Sequence, residues 1–238
     1  MTARVWGLAV LLAGCQAPPQ TVVFAAASTS DVVQDVARQV EAETGRAVVV
    51  SVGATSVLAR QIAHGAPADV LVAADPVWVD WLEGRGHAVR QRRAVARGRL
   101  VVVGPPGSRA ADLESALSGR LALADPSHVP AGRYARRALE SAGLWAGVEP
   151  RVVVVGDVRA ALAAVEVGAA DRAVVYASDA RRSGRVSVVW RLPPADVRFE
   201  LARLDRQPDG AGEGALADWV YRALAETERW TAAGFDAP

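Results

Sequence analysis

The sequence predicts an α/β protein. Three observations carry that prediction: β-branched apolar runs recur along the chain, amphipathic helical patterns separate most of them, and small or hydroxyl residues stand where a run passes into a helix. With 238 residues, 51% of them hydrophobic and 22% charged, the chain can bury a large core as one domain or as two lobes.

The elements follow in order. A strand at 22–25 leads to a helix at 31–43, with Val32, Val33, Val36 and Val40 on one side. A strand at 48–52 leads to a helix at 57–64 closed by Gly65, and a third strand lies at 70–73. Strands at 100–103, 121–124, 152–155 and 173–176 then alternate with helices at 133–142 and 158–167. The end of the chain is helical over 211–225 and 226–235, and Leu216, Trp219, Val220 and Leu224 share a core face. Two stretches break the rhythm. Residues 97–106 run into Gly104-Pro105-Pro106-Gly107, and residues 191–204 place Pro193-Pro194 before the strand-like 197–201; both read as crossings between two lobes. The first lobe is then 21–98 with 202–238, and the second is 99–201.

The first residues have the layout of an export signal: Met1-Thr2-Ala3-Arg4, an apolar run at 5–13, then Gly14-Cys15. Leu12-Ala13-Gly14-Cys15 resembles a bacterial lipobox, which makes 1–15 a lipoprotein-type signal and Cys15, the only cysteine, the site of lipidation. The plainer alternative is an N-terminal helix with an incidental cysteine. The apolar run is too short to span a membrane, and residues 16–20, with Pro18-Pro19, read as a tether.

Composition excludes several functions. A formal net charge of +1, with no basic run interleaved with aromatics, argues against a nucleic-acid partner. All 27 basic residues are arginine, a pattern that codon bias explains; without lysine there is no Schiff base and no Gly-Lys-Ser/Thr phosphate loop.

Five segments sit at strand-to-helix junctions: Ala25-Ala26-Ala27-Ser28, Gly53-Ala54-Thr55-Ser56, Val129-Pro130-Ala131-Gly132, Gly156-Asp157-Val158 and Val175-Tyr176-Ala177-Ser178. Helix starts carry unpaired N–H groups and the positive end of the macrodipole, so starts that converge would make a neutral, donor-only cage for an anion. Taken singly, Ser28, Thr55 and Ser56 read more simply as helix caps and Tyr176 as core; Asp157 is a good N-cap for the helix that follows it. Convergence does not follow from spacing.

These segments, together with Ala59-Arg60-Gln61-Ile62-Ala63-His64-Gly65-Ala66-Pro67-Ala68-Asp69-Val70, Asp125-Pro126-Ser127-His128 and Asp157-Val158-Arg159, resemble the periplasmic molybdate-binding proteins of ABC importers. The resemblance runs from about Thr21 to Phe235, and the Ala-Arg-Gln-Ile…Gly-Ala-Pro-Ala-Asp block is its most specific part. It implies a two-lobed periplasmic binding protein fold with two crossover strands, each lobe a mostly parallel sheet flanked by helices, with the ligand cleft between them. It also implies an oxyanion held by Ser28, Thr55, Ala131, Val158 and Tyr176, with no metal-ion ligands and no cofactor. The implied function is an extracytoplasmic receptor, not an enzyme, that delivers molybdate and tungstate to a permease and ATPase complex. It would act as a monomer in the periplasm or at the envelope surface, held by lipid if Cys15 is acylated. Thr55 stands where serine is common, and Ala173 where glycine often precedes the Val-Val-Tyr run.

Three alternatives stay beside this reading: a receptor for another oxyanion such as sulfate, an exported hydrolase using Ser28 or Ser178 with His128 and Asp125, and an envelope lipoprotein without a ligand. The dispersed His64, His87 and His128 and the absence of a Gly-x-Ser-x-Gly elbow count against the hydrolase. Asp69 and Asp75 read as turn and capping residues.

Overall fold

The computed structural model describes residues 20–205 and 213–238. The expected signal, Cys15 and the tether up to residue 19 lie outside them, as do residues 211 and 212 of the expected C-terminal helix.

Seven elements open the chain: β1 (Thr21–Ala26), α1 (Ser30–Thr44), β2 (Val48–Gly53), α2 (Thr55–Ala63), β3 (Val70–Ala73), α3 (Val77–Glu83) and β4 (Val89–Gly98). The chain then passes through β5 (Leu100–Gly104), α4 (Leu113–Ala116), β6 (Leu121–Ala124), α5 (Pro130–Ser141), α6 (Trp145–Val148), β7 (Val152–Val155), α7 (Val158–Glu166), β8 (Arg172–Tyr176), α8 (Ala177–Arg182) and β9 (Ser187–Arg191). It returns with β10 (Val197–Leu204), α9 (Glu213–Leu224) and α10 (Thr227–Ala232).

Two five-stranded sheets result, ordered β2-β1-β3-β10-β4 and β7-β6-β8-β5-β9. In each, three parallel strands are followed by one reversed strand: β10 is antiparallel to β3 and β4, and β5 is antiparallel to β8 and β9. The sheets are therefore mixed, and the reversed strand in each is the one that has just arrived from the other lobe. β10 belongs to the first sheet over its whole length, so the second crossing falls at 192–196 and not at the expected 201/202 boundary. Its register places Val197 opposite Gly98, which ties the strand to the first sheet from its first residue.

The expected strands all form, but β4 and β9 are additional. Both are edge strands, and β4 carries Arg90, Gln91, Arg92 and Arg93 on its exposed stretch. Charged edges protect a sheet from pairing with another chain and erase the apolar alternation that a sequence pattern relies on. The core of each lobe is the valine- and leucine-rich inner strands, fully buried at Val70–Ala73 and Leu121–Ala124. At the crossings, Tyr176, Phe199, Phe235 and Trp230 form a run of edge-to-face aromatic contacts with centroids 4.9–5.4 Å apart. Gly98 ends β4 against this run, and a Cβ there would come within 2.9 Å of the Phe199 ring.

Candidate functional site

Ser28, Thr55, Ala131, Val158 and Tyr176 line one cavity between the two lobes. The first two come from the first lobe and the other three from the second. The cavity is narrow and lined largely by alanine, glycine and hydroxyl residues, with room for a compact ion.

The hydroxyls are not used as caps. β1 ends in a single 3₁₀ turn, Ala27–Thr29, fixed by Thr29 Oγ1 donating to Ala26 O at 2.7 Å. That turn leaves the buried Ser28 hydroxyl without a protein partner. Thr55 opens α2, whose N-cap is Ala54, and its Oγ1 accepts a hydrogen bond from Ala74 N–H at 3.0 Å. Because the oxygen is already an acceptor, the Thr55 proton is free to be donated into the cavity.

Three helix starts bring backbone donors. In α2, Val57 and Leu58 N–H donate to Ala54 O, which leaves Thr55 and Ser56 N–H outside the helical ladder. In α5, Pro130 has no N–H and Arg133 N–H reaches Val129 O at 2.9 Å, leaving Ala131 and Gly132. In α7, the Asp157 side chain accepts from Ala160 N–H at 2.9 Å and its carbonyl from Ala161 N–H, leaving Val158 and Arg159. Asp157 thus takes the capping role expected of it, and Val158 is where its donor is free.

Tyr176 closes the chamber from the end of β8. Its ring packs edge to face on Phe199 at 5.3 Å, and its hydroxyl, fully buried, has no partner in the protein. Burial pushes its pKa well above the ordinary value, helped by Tyr134, Asp179 and Asp75, so the phenol remains a neutral donor. No arginine or histidine lines the cavity. The one charged residue of the lining, Asp157, has its carboxylate engaged by Ala160 N–H, and the donors offered to the cavity are neutral N–H and O–H groups, which is what a buried dianion needs when no counter-ion has to be desolvated with it.

Two contributions were invisible in the sequence. Ala74 supplies only a backbone N–H, yet it sets the direction of the Thr55 hydroxyl. Gly132 lets α5 start against the end of β6, because a Cβ there would overlap the Ala124 carbonyl oxygen.

The residues weighed for a hydrolase are placed otherwise. His128 Nδ1 lies 2.9 Å from the Ser56 hydroxyl across the cleft, and its Nε2 lies 3.6 Å from Asp125 Oδ2. Ser28 and Ser178 hydroxyls make no hydrogen bond to it, and Ser56 is fully buried outside the cavity lining. Asp75 is a turn residue, its Oδ1 accepting from Val77 N–H while Oδ2 pairs with Arg133 at 3.0 Å, whereas Asp69 Oδ2 accepts from Val22 N–H at the start of β1 and so ties two distant segments together. Among the described residues, no group of three His, Cys, Asp or Glu side chains is placed to hold a metal ion, and no helix is long and apolar enough to cross a membrane.

The profile of the family described as bacterial extracellular solute-binding protein matches residues 21–236. The chain belongs to that family. Among curated members of the same kind, this solute-binding protein is 42% identical over 181 residues to the molybdate-binding protein ModA of Escherichia coli, covering 72% of this chain and 70% of that one. It is 36% identical over 199 residues to the molybdate-binding protein ModA of Haemophilus influenzae, covering 78% of each. The solved periplasmic molybdate-binding protein of Azotobacter vinelandii superposes on 92% of this solute-binding protein with a TM-score of 0.76 and 24% identity, covering 99% of that chain, a likeness of fold. The two-lobed layout with one reversed strand in each sheet is thus that of a periplasmic binding protein.

Proposed function

We propose that this chain is an extracytoplasmic receptor that binds molybdate, and tungstate with it, as a dianion and delivers it to an ABC permease. The observation that carries the reading is the convergence of Ser28, Thr55, Ala131, Val158 and Tyr176 on one cavity between the lobes whose lining holds no cation. The relatives from Escherichia coli and Haemophilus influenzae bear the name of that activity.

The chemistry of the ion fits the donor set. A tetrahedral dianion leaving water loses many hydrogen bonds, and each bond from a neutral donor to a charged oxygen returns about 1.5–3 kcal/mol. Hydroxyls from Ser28, Thr55 and Tyr176 and N–H groups from three helix starts approach from both lobes, so the ion completes its shell only when the lobes meet. Hydrogen phosphate is disfavoured because its proton meets few acceptors in a chamber of donors. Sulfate has the right charge and shorter bonds to oxygen, so donors fixed by helix starts reach it less well. Closure of two lobes over the ion is a hinge motion that a permease can read as loading. The lipobox at Leu12-Ala13-Gly14-Cys15 supports a lipid anchor at Cys15, with the folded part acting as a monomer at the envelope surface.

Isothermal titration of the purified chain with molybdate, tungstate, sulfate and phosphate tests the reading. One-to-one binding of the first two, with sulfate and phosphate far weaker, is expected, and an esterase assay stays blank. A folded protein silent with all four ions, or one that prefers sulfate, overturns it.

A further inference from the structure

Resting on the oxyanion reading, we infer that Arg159 is a positioning residue that ties the meeting of the lobes to the assembly of the cage, by joining Asp31 of the first lobe to Asp179 of the second. Arg159 Nη2 donates to Asp31 Oδ2 at 2.7 Å, and Arg159 Nε lies 2.6 Å from Asp179 Oδ1.

Each member of this chain of charges sits beside a cage donor. Asp31 lies in the first turn of α1, three residues after Ser28. Arg159 follows Val158 in the first turn of α7. Asp179 lies in α8, three residues after Tyr176. A movement that separates Asp31 from Arg159 therefore also separates Ser28 from Val158 and Tyr176.

The arrangement is prepared on one side only. Asp179 is fully buried with the Arg159 guanidinium as the cation beside it, and both belong to the second lobe, so this ion pair does not need the first lobe to form. Burial pushes Asp179 up to about 6, with Arg159 and a backbone hydrogen bond at Tyr176 opposing the shift. Asp31, by contrast, has its side chain 30% exposed and meets its arginines across the cleft. Closing makes that pair with a guanidinium already ordered, which removes much of the entropic cost of forming it. Arg182 Nε also reaches Asp31 at 2.7 Å, and its side chain is 43% exposed. Two arginines and two aspartates leave the cluster neutral in sum, so it holds the lobes together without adding a counter-charge to the cage.

The test uses Asp31→Asn, which removes the pairs of Asp31 with Arg159 and Arg182 across the cleft and leaves in place Arg159 with Asp179 and the separate pair of Arg133 with Asp75. Two readouts are taken on the full chain: the radius of gyration by small-angle X-ray scattering without ion, and molybdate dissociation by stopped flow. The inference expects a larger radius for Asp31→Asn, dissociation about tenfold faster, and association changed less than about threefold. Raising sodium chloride should speed dissociation from the parent protein more than from Asp31→Asn, which keeps the more buried Arg133–Asp75 pair between the lobes. Arg182→Gln should change either readout less than Asp31→Asn does. Asp31→Ser, with no charge and a shorter side chain, should reproduce Asp31→Asn and guards against a folding defect peculiar to one variant. Equal radii and equal dissociation rates for parent and Asp31→Asn overturn the inference. If the parent binds no molybdate, the functional reading fails on that ground, and the scattering comparison still decides the role of Arg159.

Discussion

The backbone N–H of Ala74 donates to the hydroxyl of Thr55 at 3.0 Å, so a residue with no functional side chain aims one of the cage donors. Thr55→Ser keeps both the acceptor for Ala74 and the donor to the ion, and its affinity for molybdate should stay within about threefold of the parent. Thr55→Val removes both and strands a buried N–H, which costs about 1–3 kcal/mol of stability in addition to the lost contact with the ion. Chemical denaturation and titration of the two variants separate these effects. Equal loss of affinity in both would mean that the hydroxyl is not the group that matters.

Tyr176 offers the complementary case, because its hydroxyl has no partner in the protein while its ring is packed on Phe199. Tyr176→Phe should keep the melting temperature and weaken molybdate binding by about 2 kcal/mol, near 30-fold in Kd. A calorimetric Kd unchanged from the parent would remove Tyr176 from the site.

Gly132 predicts a change in both properties at once. In Gly132→Ala the new methyl meets the Ala124 carbonyl oxygen, so the start of α5 must move away from β6, carrying Ala131 N–H with it. Overpacking of this kind costs about 1–3 kcal/mol, and the displaced donor should lower affinity as well. Denaturation midpoints together with titration check this, and a variant with parental stability and affinity would show that the backbone yields there without consequence.

All three tyrosines have their pKa values raised, with burial the first cause at Tyr134, Tyr176 and Tyr221. The native state therefore keeps phenolic protons that the unfolded chain releases near pH 10. The stability these groups contribute is complete below that pH and is lost as pH rises through it toward the folded values. Alkaline titration should show tyrosinate absorbance appearing together with the loss of circular dichroism. Ionisation near pH 10 in a chain that remains folded would contradict the burial of these rings.

Much of the fold was legible because β1, β3, β6 and β8 are parallel to their neighbours on at least one side and almost wholly buried, and such strands read as unbroken apolar runs. β4 was not, since an exposed edge that carries Arg90, Arg92 and Arg93 has no apolar alternation to read. The candidate site divides along a similar line. The resemblance to molybdate-binding proteins named all five positions, of which Ser28, Thr55 and Tyr176 have side chains with a donor. Ala131 and Val158 offer only backbone N–H groups, which any residue except proline carries, and local spacing gives no sign of their convergence. Ala74 was missed, and Gly132 was read for its bare backbone and not for its packing, because both parts depend on what folds against them: a threonine 19 residues earlier and the end of a neighbouring strand.

The placement of β10 between β3 and β4 sets an order for folding. The second lobe is contiguous from β5 to β9, so every partner its sheet needs has emerged once residue 191 is out. The first lobe waits. β4 has no neighbour in its own sheet until β10 arrives about a hundred residues later, and until then both β3 and β4 present open hydrogen-bonding edges. The middle of the chain thus has all its sheet partners before the beginning does, and of the edges left open until β10 arrives, that of β3 is exposed the longest.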